Sequence, residues 1–465
     1  MKPLRLSLVV LLPALLALAV AVGRDGLQIG VGYSAKQLCS GVFVAGLPQS
    51  FVWDRDIWPR SAMFGPLRHW LDVRADTSSG LAEASLLGVS ARAVHVPPRG
   101  CVLHATEPGA PPSATGTAPP AVGVPAALRE AVDGAFAEPV GGGRNTLALL
   151  VAWQGRLVAE RYTAPVTTAT PLQGWSMNKS LLATWVGMQA AEGALDPSRP
   201  LVELLPDEPR VAALDPRLTL LHLLQMESGL DFAEVYAPRG DATRMLYRTP
   251  AMWTVPASRP QAHAPGSHFA YSSGDSVLAA LFWQRSLQSS YPRWIEDNFR
   301  RPLGLRALVA ESDASGVQVG SSYTYMTGRD WLTVGQLWLD AWHGRSALLP
   351  GDWLRESVKR RDSDPRGQYG RGFWLNTAGV AFPGIAESAF YASGNSGQYV
   401  VVVPERELVI VRLGLTDAES STGTAAFLAA LTDRLKDIEA PDGPVLASTS
   451  ALTGGEEQTV DPEAR

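Results

Sequence analysis

The chain has 465 residues, of which 46% are hydrophobic and 18% charged, with a formal net charge of −5. That is enough material for a large core and more than one domain, and the composition is that of a globular protein rather than a fibrous or disordered one. A mildly acidic balance with no block of like charges excludes an extended nucleic-acid surface.

The chain opens with a short basic start, Lys2 and Arg5, and an apolar run from Leu6 to Val22 broken by Ser7 and Pro13. Residues 1–22 read as a secretory signal, with Ala19-Val20-Ala21 as the small-residue cleavage site. The alternative is an uncleaved anchor, since residues 6–22 approach the length needed to span a bilayer. Export would place the protein in the periplasm or on the outer face of the inner membrane. In such an oxidising compartment the two cysteines, Cys39 and Cys101, are expected to form one disulfide, with two buried free thiols as the alternative. Residues 25–104 then read as a small N-terminal domain of short strands and turns. Residues 105–122, rich in Pro, Gly, Thr and Ala, have the composition of a linker.

A third region, residues 123–438, carries the longer periodic elements. Ala126 to Phe136 has a helical pattern, and Asn145 to Tyr162 reads as a hairpin turning at Gln154-Gly155. A helix follows over Leu181, Leu182, Trp185, Val186 and Ala190, stopped by Gly193 and Asp196-Pro197. Leu218 to Leu230 is expected to be a helix closed by Gly229, and Val277 to Gln284 another. Two strand-like runs, Gln398 to Pro404 and Glu407 to Leu413, precede a last helix over Thr422 to Ile438. Residues 439–465 are polar and are expected to be disordered.

The chemistry concentrates at Gly174-Trp175-Ser176-Met177-Asn178-Lys179. A serine and a lysine three apart at a helix start lie on one face, one turn apart, so the amine can reach the hydroxyl. The helix N-terminus also favours the negative charge that an attacking serine builds up. Only five of the 40 cationic residues are lysine. A lysine can serve as a base where an arginine cannot. Two further stretches are candidates. Ala270-Tyr271-Ser272-Ser273 leads into a helix and could hold a phenol against the nucleophile; Ala392-Ser393-Gly394-Asn395-Ser396-Gly397-Gln398 opens the paired strands, where a backbone N–H could face a reacting carbonyl. No His-Glu-x-x-His occurs and the seven histidines show no ligand spacing, so neither metal nor cofactor is expected.

In this order the three stretches resemble the serine beta-lactamase and penicillin-binding-protein superfamily, with its Ser-x-x-Lys, Tyr-x-Asn or Tyr-x-Ser, and Lys-Thr-Gly signatures. Leu218 to Leu230, Tyr369 to Asn376 and Ser393 to Leu413 resemble its class C-like branch, which holds esterases and 6-aminohexanoate-dimer hydrolase. The resemblance implies an α+β fold: an antiparallel sheet flanked by helices, with an all-helical subdomain. It implies Ser176 as nucleophile, Lys179 as general base, Tyr271 as a proton-transfer group, and the backbone amides of Ser176 and Asn395 as the oxyanion hole. Ser273, Gly394, Gln398 and Glu234 are expected to line the site; for Tyr236 and Trp374 the readings are pocket lining or packing. The departure is Ala392, where relatives usually carry a cation. It argues for a neutral small-molecule amide or ester over a D-Ala peptide or beta-lactam. The reading is thus an exported serine hydrolase; a D-Ala carboxypeptidase or beta-lactamase, and a non-catalytic binding domain of the same fold, are the rivals.

Overall fold

The computed structural model describes residues 23–112, 117–237, 240–417, 420–435 and 443–446. Residues 1–22, read above as a signal or anchor, and most of the tail 439–465 lie outside them. Among the described residues no helix is long and apolar enough to cross a membrane.

The N-terminal region begins not with strands but with a helix, α1, over residues 23–39, which continues as a wider turn over Ser40–Val44. After further short helical turns between residues 49 and 70 come four strands: β1 (Asp72–Asp76), β2 (Leu81–Leu86), β3 (Val89–His95) and β4 (Cys101–Leu103). They form an antiparallel meander in the order β1-β2-β3-β4. The expectation of short strands and turns therefore holds for residues 72–103 and fails for residues 23–44 and 49–70, which are helical. Cys39 and Cys101 are bonded to each other, their Cα atoms 5.9 Å apart, which ties the end of α1 to β4.

This region is not an independent body. Its apolar side chains share one core with Trp175, Tyr247, Val277, Tyr323 and Tyr325 from the larger part of the molecule. At the junction Lys36 pairs with Glu311, both buried, and Glu311 also accepts from Ser40 Oγ (2.9 Å) and Cys101 N (2.7 Å). The stretch of linker composition is tied down too. Thr168 Oγ1 donates to Pro119 O (2.6 Å), Val122 N donates to Glu160 Oε1 (2.6 Å) and Arg329 Nη2 donates to Pro120 O (2.8 Å).

The larger part runs α2 (Arg129–Phe136), β5 (Thr146–Trp153), β6 (Arg156–Tyr162), β7 (Leu172–Gln173), α3 (Asn178–Ala191), α4 (Asp241–Arg248), α5 (Ser273–Arg285), β8 (Leu308–Ala310), β9 (Thr324–Met326), α6 (Gly328–Trp342), β10 (Trp374–Leu375), β11 (Phe390–Gly394), β12 (Gln398–Val403), β13 (Leu408–Gly414) and α7 (Thr424–Arg434). A six-stranded sheet in the order β10-β11-β12-β13-β5-β6 is antiparallel throughout. Alternation along its strands splits the core in two. Leu150, Ala152, Val400, Val402, Val409 and Val411 face α6 and the helices beyond it, while Leu149, Val151, Val401, Val403 and Ile410 face α2 and α7. Behind α6 lies the helical part, where Trp185 of α3 stacks on Trp283 of α5 at 5.1 Å. The architecture is α+β, as the sequence implied.

Two boundaries differ from expectation. The helix expected over Leu218 to Leu230 is confined to Leu220–Leu224, started by a Thr219–His222 capping box and ended before Met226, whose φ of +59° leaves the helical region. Within the tail expected to be disordered, residues 443–446 lie along β6: Leu157 N donates to Pro444 O (3.1 Å), Leu446 N donates to Gly155 O (2.9 Å), and Leu446 is buried. The segment covers an otherwise open sheet edge.

Candidate active site

Ser176 lies in a short 3-10 turn, Trp175–Met177, directly before α3, and is partly exposed. Trp175 has a φ of +48°, a strained conformation for a bulky residue, so the chain turns sharply there and leaves the serine at the helix mouth. One residue further, Asn178 fixes the turn. Its Nδ2 donates to Val319 O (2.7 Å) and Ser322 O (3.0 Å), and its Oδ1 accepts from Thr324 Oγ1 (2.7 Å). This clamp holds the loop 319–324 against the start of α3.

Lys179 projects from the first turn of α3 and is buried. Its Nζ lies 3.1 Å from Ser176 Oγ, 3.3 Å from Ser273 Oγ and 3.4 Å from Ser321 O. Three neutral oxygens match the three donors of an ammonium. Among the described residues no carboxylate is within ion-pair distance of Lys179. The ring of Tyr271 lies 4.6 Å below Nζ, face toward the amine, a second favourable environment for a cation.

Tyr271 is therefore at the site, but among the described residues it meets Lys179 through its ring and not through a hydrogen bond of its phenol. It is held by an aromatic group, with Trp374 at 5.2 Å and Tyr369 edge-on at 5.7 Å. Ser273 stands at the first turn of α5, started by Ser272, whose Oγ accepts from Asp275 N (2.9 Å). Glu234 lies behind it. One carboxylate oxygen accepts from Ser273 N (2.7 Å), and the other from Ser273 Oγ (2.6 Å) and from Tyr236 OH (2.8 Å). A polar chain thus runs Glu234, Ser273, Lys179, Ser176. Although Tyr236 is 58% exposed, crowding around its hydroxyl, and next the Glu234 charge, raise it above the usual phenol range.

The third stretch reaches the nucleophile through its backbone. A Cβ on Gly394 would stand 2.1 Å from Gly174 O, so the end of β11 and the turn carrying Ser176 can touch only because residue 394 has no side chain. That contact sets Asn395 and Ser176 on adjoining segments. Gln398 does not line the site. It is buried, its Nε2 donating to Asn395 O (2.9 Å) and Gly414 O (2.6 Å) and its Oε1 accepting from Gly414 N (3.0 Å), so it braces the turn instead. Behind the turn, Gln398 and Trp175 help line a cavity of about 60 Å³ that Ser176 does not border.

Ala392 is fully buried against the core on the α6 side of the sheet. A cation approaches this region from elsewhere. Arg60, from the N-terminal region, donates to Ser396 Oγ, two residues past Gly394, while its other end pairs with Asp56. Neither Arg60 nor Ser321 could be found by local spacing, because each reaches the site across more than a hundred residues of chain.

Comparison with known proteins follows from this geometry. Residues 132–433 match the beta-lactamase family. Among solved structures, a Bacillus anthracis chain described as a candidate 6-aminohexanoate-dimer hydrolase superposes with a TM-score of 0.54 at 18% identity, over 64% of this chain and 81% of that one. A family VIII carboxylesterase gives 0.53 at 16%, over 68% and 99%. A D-stereospecific amidohydrolase from a Streptomyces species gives 0.52 at 18%, over 68% and 99%. At such identities the likeness is one of fold.

Proposed function

Since this chain belongs to the beta-lactamase family across residues 132–433, we propose that it is an exported serine hydrolase that cleaves an amide or ester bond through an acyl-enzyme on Ser176. The observation that carries this reading is the 3.1 Å separation of Lys179 Nζ from Ser176 Oγ, with the amine buried among neutral oxygens.

In the proposed reaction Lys179 takes the hydroxyl proton as Ser176 Oγ bonds to the substrate carbonyl carbon. The new ammonium keeps Ser273 Oγ and Ser321 O as acceptors and lies over the Tyr271 ring, so the proton has a prepared resting place. The carbonyl oxygen becomes an oxyanion, stabilised by the amides of Ser176 and Asn395. Collapse expels the amine or alcohol, which takes its proton from the Lys179 and Tyr271 side. Water then attacks the ester on Ser176 with Lys179 again as base, releasing the acid and restoring the hydroxyl. Ser273 and Glu234 orient the amine, and Tyr236 and Trp374 bound the acyl side.

The substrate class follows from residue 392. A hydrogen bond to a charged group is worth about 1.5–3 kcal/mol, and Ala392 offers none to a substrate carboxylate. Neutral esters and linear amides are the proposed substrates, ahead of penicillins and cephalosporins. Residues 6–22 are proposed to direct export and, if retained, to anchor the chain in the membrane. The test is labelling with a fluorophosphonate. One adduct at Ser176, absent from Ser176→Ala, is expected, and an adduct that persists in the variant sinks the assignment.

A further inference from the structure

The helical turns after α1 carry a surface that catalysis does not use. From Ile57 to Leu71 the sequence holds Arg68 and His69, besides Arg60, which is paired with Asp56; Asp54 and Asp72 lie just outside the stretch. Met63 and Trp70 are 53% and 65% exposed. The turn breaks at Gly65, with a φ of +53°, followed by Pro66, which sets Met63 and Trp70 on an outward bend. Arg68 lies 4.3 Å over the Trp58 ring and His69 5.3 Å beside it, so positive charge is stacked on an indole at the surface.

The location of this patch says what covers it. Phe64 packs on α1 at Gly30, where a Cβ would stand 1.8 Å from its ring. Residue 23, the first described residue of α1, follows the apolar run 6–22 directly. Seven residues of helix separate it from Gly30, roughly 10 Å of rise. Exposed tryptophan and methionine beside Arg68 at that depth suit a headgroup layer: indoles favour the membrane interface and arginines attract anionic lipid.

We infer that residues 58–70 rest on the lipid surface of the membrane that receives residues 6–22, as a second contact beside the anchor. The inference rests on the membrane reading of residues 6–22. One apolar segment leaves a body free to tilt. A second, weaker contact fixes one face toward the bilayer.

The test uses the full chain with vesicles of phosphatidylethanolamine and phosphatidylglycerol. An environment-sensitive fluorophore is attached at Met63→Cys or Trp70→Cys, and for comparison at Val380→Cys or Val445→Cys, exposed apolar positions elsewhere. The native cysteines are paired and do not take the label. Nitroxide-bearing lipids should quench the label several-fold more at 63 and 70 than at 380 and 445. Equal quenching at all four, or none at 63 and 70, overturns the inference. Flotation of the same samples separates the causes: a floating protein without quenching keeps its anchor and loses this contact, and one that does not float loses both. A blue shift at 63 and 70 that needs no lipid would overturn it in favour of a second copy of the chain.

Discussion

Two buried lysines, one in each region, have nearly the same surroundings. Lys36 of α1 donates to Ser40 Oγ at 2.9 Å and lies 4.2 Å over the Tyr323 ring; Lys179 of α3 lies 3.1 Å from Ser176 Oγ and 4.6 Å over the Tyr271 ring. The difference is a carboxylate. Glu311 sits directly on Lys36, whereas Glu234 is held off Lys179 by the hydroxyl of Ser273. Burial, the larger influence, lowers the Lys36 amine below the usual lysine range, and the Glu311 charge opposes it. A lysine, a serine and a tyrosine ring therefore do not make a reactive site. Lys36 is committed to an ion pair, whereas Lys179 has only neutral oxygens and an aromatic ring around it.

The sharpest way to break this comparison is to put a group that cannot give up its proton at each position. Lys179→Arg should lower kcat/KM for a p-nitrophenyl ester by about 10²- to 10⁴-fold, the usual worth of a general base. Lys36→Arg should change kcat of the folded enzyme by no more than a few-fold. Substantial turnover by the Lys179 variant would mean that another group is the base.

A smaller effect is expected on stability, with the roles reversed. Glu311→Gln leaves the Lys36 charge buried without its counter-ion and should cost about 3–5 kcal/mol in denaturant unfolding. The pair Lys36→Met with Glu311→Leu should recover most of that, and kcat should stay near wild type in both. An unchanged unfolding midpoint in Glu311→Gln would show that the pair holds nothing together.

The third test concerns a buried acid with no cation. Asp275, two residues past Ser273, accepts from Ser228 Oγ (2.9 Å), but its Oδ2 has no partner among the described residues. Burial raises its carboxyl to about 7, against the pull of the Ser228 and Ser272 hydrogen bonds. The folded chain then keeps, between about pH 4 and 7, a proton that the unfolded chain has released, so this group makes stability fall as pH rises through that window and level off above it. Asp275→Asn should flatten the slope, with a gain at pH 8 of at most about 4 kcal/mol at 1.36 kcal/mol per unit. An identical pH profile in the variant would place the proton elsewhere.

What the sequence allowed one to read follows the range of the interactions. Ser176 and Lys179 are a single helical turn apart, so their meeting is local. The hairpin of β5 and β6 and the strands β12 and β13 are short-range alternations. Glu234 was expected near the site, but its hold on Ser273 was not, and Ser321 enters on a loop clamped by Asn178, which no spacing reveals. Gln398 looked like a site residue because it follows the glycine turn, yet its amide is used up by the backbone of that turn. The helix α1 was hidden for a different reason. Gly30 and Gly32 argue against a helix by propensity, but both are where other chain segments press in, Phe64 on the first and the Tyr247 carbonyl, 2.4 Å from a Cβ, on the second. The residues that weaken the helix in isolation are those that let it be buried.

The order of the central sheet sets a clock. β5, near residue 150, pairs with β13, made of residues 408–414, and β13 in turn carries β12. A ribosome adding about 5–20 residues per second delivers the second partner roughly 10–50 s after the first. Until then both edges of the hairpin of β5 and β6 are unpaired, and the turn bearing Ser176 has no β11 beside it. The nucleophile site cannot be completed before residues 390–414 have been made. A polypeptide with such late closure stays open for most of its synthesis, which would suit the export proposed for residues 6–22.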